Sequence, residues 1–323
     1  YKRQVLAFPN NGSFSADRIN GSEFIVVAQA DNTVVTITPA ASFDNHPADL
    51  PYVVSLNQGD VYQLYNDVDN SQVTGTTITA TEPVAVFAGH QCAEVPHGFA
   101  YCDHLIEQLP PLESWGTRFA TVPLATRSGG DVFRFVAQQD NTEINVNGAL
   151  LASLDAGQSH QAVLQGYSSI LASQPILVAQ FSTSTDFDSA EDADPFMMIV
   201  TPIDQFQPSY TFNTLQDEIF TVGHFANLVV PIDGLDTLTI DGVPVSPGLF
   251  TPIDSTGLLG AAIELSGGSH NLVSSLPFGL AVYGFGDDDS YGYPGGASVA
   301  PVNEIAVLVT TPDNFSRNVA SQH

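Results

Sequence analysis

Residues 24–37 read Phe-Ile-Val-Val-Ala-Gln-Ala-Asp-Asn-Thr-Val-Val-Thr-Ile, and residues 133–146 read Phe-Arg-Phe-Val-Ala-Gln-Gln-Asp-Asn-Thr-Glu-Ile-Asn-Val. Each stretch places an Asp-Asn-Thr turn between two apolar runs of strand length. Asp and Asn hydrogen-bond their own backbone and tolerate a positive φ, so this turn joins two adjacent strands. The alternation of strand-like runs and turns, with almost no helical periodicity, predicts an all-β protein with little helix.

The pattern extends into a longer repeat. Both copies continue with a Leu-x-x-Gly turn, which ends at Gly59 in one and Gly157 in the other. Both then place a proline before an apolar run, at Pro83 and Pro175, where a missing N–H costs no ladder hydrogen bond. The period of about 92–109 residues is close to the size of one small β-sandwich.

A third, more divergent copy runs over residues 228–240 as Leu-Val-Val-Pro-Ile-Asp-Gly-Leu-Asp-Thr-Leu-Thr-Ile. We therefore expect three tandem, pseudo-repeated, β-sandwich-like modules packed into one body, since no long Ser/Gly/Pro linker separates them. The expected boundaries are 1–109, 110–203 and 204–301, followed by a connector to a further domain at 302–323.

One short helix is expected near Asp103–Gln108, ended by Pro110 and Pro111. The chain opens at Tyr1 without a methionine, and we interpret it as part of a larger multidomain chain.

The charge balance is strongly acidic. Asp plus Glu number 35 while Lys plus Arg number 7, which gives a net charge of −28 and a pI near 4.1. Such a charge repels nucleic acid and anionic membrane surfaces, so neither is an expected partner. No apolar run approaches the roughly 18–20 residues that span a bilayer, so direct membrane insertion is not expected. So few cations leave most carboxylates to be compensated by solvent or by bound Ca²⁺.

Cys92 and Cys102 are the two cysteines of the chain, and they flank a turn-rich segment as His90-Gln-Cys92 and Cys102-Asp-His104. A local disulfide and a four-ligand metal site are the alternatives. Zinc sites use closer Cys or His spacings than these, and the Lys-poor, Thr/Ser/Asn/Gly-rich composition suits a secreted or cell-surface protein. The residues favour the disulfide, which would close a loop of about eleven residues.

The same region carries a resemblance to a known family. Gly89-His-Gln-Cys-Ala-Glu-Val-Pro96, Cys102-Asp-His-Leu-Ile-Glu-Gln-Leu-Pro-Pro111 and Trp115-Gly116 resemble the signature of the IgGFc-binding protein N-terminal domain family, here as a bacterial extracellular member. The Asp-Asn-Thr turns, the Leu-x-x-Gly turns and Gly292-Tyr-Pro-Gly-Gly296 are similar to it too. The resemblance covers about residues 4–301.

The resemblance implies an extracellular protein, because the family is named for a secreted mucosal protein linked to the Fc part of immunoglobulin G. Its bacterial members lie within large surface or secreted proteins, often beside adhesion modules. The two cysteines of the family map onto Cys92 and Cys102, which supports the disulfide. No catalytic motif accompanies the family, and no short motif for Fc binding is available to be matched in this chain.

Two acidic groups are candidate Ca²⁺ sites, since Ca²⁺ takes six to eight oxygen ligands. The first has no basic residue nearby in the sequence, and it lacks the glycine of a twelve-residue EF-hand loop. The alternative for each group is a solvated acidic surface, and a third, weaker group surrounds Asp67 and Asp69. The candidate ligands are Asp186, Asp188, Glu191, Asp192 and Asp194 in the first group, and Asp287, Asp288 and Asp289 in the second.

Tyr291 and Tyr293 follow the second acidic group, and their glycine-rich setting resembles a recognition loop. Exposed tyrosines beside carboxylates suit stacking on sugar rings, so both are candidate ligand-binding residues. The alternative is that the two rings cover one end of a sandwich.

Enzymatic motifs are absent: there is no nucleophile elbow, no His-Glu-x-x-His and no phosphate-binding glycine loop. His90, His97 and His104 with Asp103 and Glu107 could form an acid–base site, but histidines that orient the disulfide loop through backbone hydrogen bonds are the favoured interpretation.

The sequence therefore predicts a non-enzymatic extracellular adhesion or ligand-binding module of a larger surface or secreted protein. It would bind a glycan or glycoprotein through loops at the ends of its sheets, with Ca²⁺ as a possible cofactor and no organic one. The alternatives are a structural spacer in a surface fibre and a metal-assisted hydrolase.

Overall fold

The protein consists mainly of antiparallel β-sheets. The computed structural model describes residues 1–10, 21–43, 45–68, 70–188, 193–216, 219–287 and 289–298. The sheets of these residues are each drawn from one of three successive stretches, here called the first, second and third groups. Helix is limited to one four-residue α-helix and four 3₁₀ turns in the described residues. The expectation of an all-β protein with little helix is confirmed.

The first group consists of two four-stranded sheets, in the orders β1-β6-β3-β4 and β5-β2-β7-β8. Val26 and Ile37, from opposite sheets, belong to one buried cluster, so the two sheets share a core. The strands are β1 (Lys2–Gln4), β2 (Ser22–Ala28), β3 (Thr33–Thr38), β4 (Tyr52–Leu56), β5 (Val61–Asn66), β6 (Thr77–Ala80), β7 (Val84–Ala93) and β8 (Asp103–Gln108).

The second group is organised around the 14-residue strand β14, which pairs with four other strands along its length. The strands are β9 (Gly116–Thr121), β10 (Asp131–Ala137), β11 (Thr142–Val146), β12 (Ala149–Leu154), β13 (Ser159–Leu164), β14 (Ser168–Phe181) and β15 (Met197–Ile199). Helix α1 (Thr185–Asp188) follows β14, and 3₁₀ turns lie at Leu112–Ser114 and Ile203–Gln205.

The third group is organised in the same way around a 19-residue strand, β22, which pairs with β16, β17, β18 and β23. The strands are β16 (Gln207–Thr214), β17 (Gly223–Pro231), β18 (Thr239–Ile240), β19 (Val243–Pro244), β20 (Thr251–Ile253), β21 (Leu258–Leu265), β22 (Gly268–Gly286) and β23 (Asp289–Pro294). 3₁₀ turns lie at Ile232–Thr237 and Pro247–Leu249.

The turns of the first two repeat copies fold alike. Asn32 and Asn141 both take left-handed backbone, with φ of 57° and 56°. The hydroxyls of Thr33 and Thr142 each donate to the carbonyl three residues earlier at 2.7 Å. The predicted Asp-Asn-Thr turns are therefore present in both copies, with the same hydrogen bond closing each.

The glycine turns match as well. Gly59 and Gly157 have φ of 83° and 81°, and their N–H groups donate to the carbonyls of Ala28 and Ala137, each at 2.9 Å. The third copy departs from this pattern, because the 3₁₀ turn Ile232–Thr237 stands where the Asp-Asn-Thr turn was expected. The exact boundaries of the three modules stay a prediction.

The expected helix at Asp103–Gln108 is wrong, since these residues form strand β8. They pair with β7 in a ladder that includes Leu105 opposite His90 and Gln108 opposite Phe87. Leu105 is buried and Ile106 is 43% exposed, as the two faces of a strand require. Pairing with the preceding strand β7 overrides the local helical tendency.

Side chains of neighbouring groups contact each other directly. Phe8 and Phe181 join the first and second groups with ring centroids 5.2 Å apart. The Arg134 guanidinium lies 5.5 Å from the ring centre of Phe8 and donates to Gln161 at 3.1 Å. Burial lowers the pKa of Arg134 to about 9.

Polar contacts join the second and third groups. The Asn227 amide donates to the carbonyl of Val122 at 2.9 Å, and the Tyr283 hydroxyl donates to the Asn227 side-chain oxygen at 2.9 Å. The same hydroxyl accepts the backbone N–H of Ala125 at 2.7 Å. Because these groups are buried and paired, the contact between the two groups of strands is specific. Among the described residues no helix has the length and apolarity to cross a bilayer.

Candidate functional site

A disulfide joins Cys92 and Cys102, as predicted, with the two Cα atoms 5.1 Å apart. Cys92 lies near the end of β7 and Cys102 immediately precedes β8, so the bridge closes the connection between two paired strands. Residues 93–101, here called the disulfide loop, are held at both ends by covalent bonds and strand pairing.

His90 fixes the backbone at the start of the disulfide loop. Its side chain is buried, and its Nδ1 accepts the backbone N–H of Cys92 at 3.1 Å. Burial lowers the pKa of His90 to about 4, so the ring is neutral at neutral pH. The orienting role expected of a histidine is thus present at His90, whereas the side chains of His97 and His104 are exposed.

The disulfide loop is also attached to the second group. The backbone N–H of Val95 donates to the Ser184 hydroxyl at 2.9 Å, and the N–H of Ser184 donates to the carbonyl of Val95 at 2.5 Å. The rings of Phe99 and Phe187 meet edge to face with centroids 4.9 Å apart. These contacts restrict the loop at its base and along one side.

Tyr101 is the last residue of the disulfide loop, next to Cys102, and 56% of its surface is exposed. Its backbone takes a φ of 72°, which residues with a Cβ adopt only at a cost. Sequence reasoning did not select Tyr101. A tyrosine placed between Gly98 and the second cysteine of a closed loop was the available signal.

The first acidic group has a cationic partner, contrary to expectation. Arg127 Nη2 lies 2.8 Å from Asp188 Oδ1, and both side chains are 1% exposed. The other oxygen of Asp188 accepts the backbone N–H of Ser128 at 2.9 Å. Arg127 also donates to the carbonyls of Thr183 and Ser184, beside the point where the disulfide loop is attached.

Asp186 and Asp194 are the other described residues of that acidic group. Asp186 is exposed, and the backbone carbonyl of Asp194 accepts the hydroxyl of Ser290 at 2.7 Å. Glu191 and Asp192 lie outside the described residues. Within the described ranges, no three His, Cys, Asp or Glu side chains are grouped so that they could hold a metal ion. Calcium binding by the first acidic group stays a prediction.

Asp287 of the second acidic group directly follows β22, and Asp289 begins β23. Asp287 is exposed, Asp289 Oδ1 accepts the backbone N–H of Ser290 at 2.8 Å, and Asp288 lies outside the described residues. Burial, with the nearby carboxylate of Asp289, raises the pKa of Asp103. Carboxylates from the first and third groups of strands therefore lie near each other. A calcium role for the second acidic group also stays a prediction.

Tyr291 and Tyr293 lie in strand β23 and not in a loop. Their rings stack with centroids 6.1 Å apart, and both are half-buried. The Tyr291 hydroxyl is 2.9 Å from His224 Nδ1, and the Tyr293 hydroxyl donates to the carbonyl of Asn213. Both hydroxyls already take part in internal hydrogen bonds, and the sugar-binding role predicted for these tyrosines remains untested.

The geometry is that of an all-β protein which presents a disulfide-closed loop from a body of packed sheets. A family model described as IgGFc binding protein matches residues 7–284. The human protein named IgGFc-binding protein is 29% identical over 276 residues, which cover 82% of this chain and 5% of that protein. No solved structure matches. The chain therefore belongs to the IgGFc-binding protein family, as its signature residues implied, and it spans about one twentieth of the length of this relative.

Proposed function

We propose that this chain is a non-enzymatic, extracellular binding module of a larger surface or secreted protein, and that the disulfide loop carries its contact with a glycoprotein partner. Family membership supports a binding role, since the human relative is named for binding IgG Fc. The disulfide supports an extracellular location, because such bonds persist in oxidising compartments.

The exposure of Tyr101 on a fixed loop is the observation that carries this proposal. A binding loop that is ordered beforehand loses less conformational entropy when it meets its partner. Tyrosine supplies a large contact area with few rotatable bonds, and it is enriched at the energetic centres of interfaces. The attachment of Val95 to Ser184 and of Phe99 to Phe187 leaves Tyr101 displayed at a defined position.

The charge of the chain favours a particular kind of partner. With 35 acidic and 7 basic residues, the protein attracts macromolecules that present a cationic surface and repels macromolecules with an acidic surface. We propose a glycoprotein with such a surface, contacted through protein, glycan or both. The Fc fragment of human IgG is the first partner to test, because the name of the relative specifies it.

Binding to immobilised Fc, to enzymatically deglycosylated Fc and to a glycan array tests this proposal. Tyr101→Ala is expected to weaken binding roughly 30-fold, as loss of about 2 kcal/mol at an interface centre implies. Tyr65→Ala is the matched control, since Tyr65 is 48% exposed on strand β5 of the same group. Unchanged binding by Tyr101→Ala would show that the disulfide loop does not carry the contact.

Calcium dependence is a further part of the proposal, and repeating the measurement with Ca²⁺ and with EDTA addresses it. A structural spacer is the second candidate function, supported by the buried contacts that join the three groups of strands. The spacer is favoured if neither Fc nor any arrayed glycan or glycoprotein binds above background.

A further inference from the structure

A cavity of about 480 Å³ lies where the three groups of strands meet. Arg3 of β1 contributes from the first group, Val200 from the second and Pro294 of β23 from the third, while Trp115 comes from the segment that joins the first two. Small-molecule sites in proteins have volumes of roughly 300–1,000 Å³ and often lie at such junctions. The cavity therefore has the size of a ligand site.

Most of the cavity wall is apolar. Trp115 is 2% exposed, and Phe119, Ile176 and Leu177 are buried beside it. Pro110 also lines the cavity. An apolar body of a ligand would replace water against these side chains, and each Å² of apolar surface buried contributes about 25 cal/mol.

Gln108, Ser114, Thr201 and Gln205 are polar residues of the cavity wall, and two further lining residues, Arg3 and Trp115, carry buried donors without an acceptor. Trp115 Nε1 and Arg3 Nε are buried and have no hydrogen-bond partner among the described residues. An indole N–H and a guanidinium can only donate, and buried polar groups are rarely left unpaired. Burial raises the pKa of Glu107 to about 8, so its carboxyl holds a proton at neutral pH and can donate as well.

We propose that this cavity binds a small amphipathic carboxylate, with its apolar body against Trp115 and its carboxylate accepting hydrogen bonds from the Arg3 guanidinium. A carboxylate is the group that matches a set of donors of which one is cationic. A neutral alcohol with the same body would lose the charge-assisted bond and bind more weakly.

The proposal also gives a role to signature residues that the disulfide does not explain. Glu107, Pro110, Pro111 and Trp115 all belong to the stretch that carries the family resemblance, and all line this cavity. These four residues line the same cavity, whereas no residue of the disulfide loop lines it. A shared ligand site accounts for their chemical types better than strand formation alone, which does not require an indole or a buried acid.

Trp115 is the single tryptophan of the chain, so intrinsic fluorescence reports on this cavity alone. We expect titration of the full chain with decanoate to change the tryptophan emission in a saturable way, and decanoate to bind at least tenfold more tightly than decanol. Arg3→Gln is expected to remove that tenfold preference and leave decanol binding unchanged. Arg118→Gln is the matched control, because Arg118 is an exposed arginine outside this cavity, and it is expected to keep the preference.

Val200→Phe provides a second variant, which fills part of the cavity with a larger apolar side chain. We expect it to weaken decanoate at least tenfold while its circular dichroism spectrum stays that of the parent protein. Absence of a saturable change with decanoate would overturn the proposal, as would equal affinities for decanoate and decanol. If Val200→Phe does not fold, the comparison of Arg3→Gln with Arg118→Gln decides on its own.

Discussion

Arg127 and Asp188 form a buried ion pair that links the segment before β10 to helix α1. The 2.8 Å contact and the 1% exposure of both side chains show that each charge is compensated inside the protein. Burial lowers the pKa of Arg127, and the carboxylate of Asp188 acts in the opposite direction. An arginine keeps its charge in such a place, so the pair is a structural element of the contact between α1 and the sheets.

Asp188→Asn is therefore expected to destabilise the protein by about 3–5 kcal/mol, since it removes the carboxylate that contacts a buried guanidinium. Urea unfolding followed by circular dichroism measures the loss. Asp186→Asn is the matched control, because Asp186 is exposed, and it should change the free energy of unfolding by no more than about 0.5 kcal/mol. A calcium ligand at position 188 would instead make the loss depend on Ca²⁺, whereas the ion pair predicts equal losses with Ca²⁺ and with EDTA.

The double variant Cys92→Ser with Cys102→Ser is expected to lose roughly 2–3 kcal/mol, because it removes the constraint on a short loop in the unfolded chain. Thermal melts in non-reducing buffer measure this change, and melts of the parent protein in reductant should approach the variant. The same variant is expected to bind any partner of Tyr101 more weakly. A melt that matches the non-reduced parent would show that the bridge contributes nothing to stability.

Stability is expected to fall as the pH rises from about 5 to 8. Burial raises the pKa of Glu107 to about 8 and of Asp131 to about 7. Both carboxyls are protonated in the folded protein at pH values where the unfolded chain ionises them, so their stabilisation is present in acid and lost as the pH rises. His90 acts in the opposite sense, because its lowered pKa of about 4 makes protonation below pH 6.5 favour the unfolded chain.

Glu107→Gln tests whether the raised pKa of Glu107 causes this pH dependence of stability, since the amide resembles a protonated carboxyl that does not ionise. We expect the free energy of unfolding of the variant to fall less steeply with rising pH than that of the parent protein. Near pH 6 the two slopes should differ by up to about 1.4 kcal/mol per pH unit, because there Glu107 binds one more proton in the folded than in the unfolded state. Denaturant unfolding at several pH values provides the slopes. Glu143→Gln, at an exposed position of β11, should keep the slope of the parent protein, and an unchanged slope for Glu107→Gln would contradict the prediction.

Gly59→Ala is expected to destabilise by about 1 kcal/mol or more. Gly59 has a φ of 83°, and a Cβ there would meet no atom within 4 Å, so the cost is conformational and not steric. Gly248→Ala is the control, because Gly248 is exposed and lacks a positive φ, and a Cβ there would make only an ordinary van der Waals contact with Ser246 Oγ at 3.7 Å. Equal melting temperatures for the two variants would indicate that the repeated glycine is dispensable in the turn.

The turns were predictable because their chemistry is local. Asn32 and Gly59 need a positive φ, and the residue types that permit it are visible in the sequence at the matching positions of two copies. The disulfide was predictable for the same reason, since ten positions separate its two cysteines. Strand β8 was missed because its hydrogen bonds go to β7 across the disulfide loop, and no local pattern records that pairing.

The partners of the charged residues were not predictable. Arg127 and Asp188 are far apart in the chain and meet only after β14 brings their segments together, so the acidic segment looked unpaired. Arg134 is buried between two groups of strands among amides and hydroxyls. The junction cavity likewise depends on how three groups pack, which the composition of the signature segment does not specify.

The bridge between Cys92 and Cys102 also has a mechanical consequence. When a polypeptide is stretched from both ends, load passes through the sulfur–sulfur bond and not through the backbone that it bypasses. About ten residues, or roughly 35 Å of contour length at 3.3–3.6 Å each, would stay slack even after every sheet of the first group had been pulled apart. Tyr101 would therefore remain on a closed ring under forces that extend the surrounding strands.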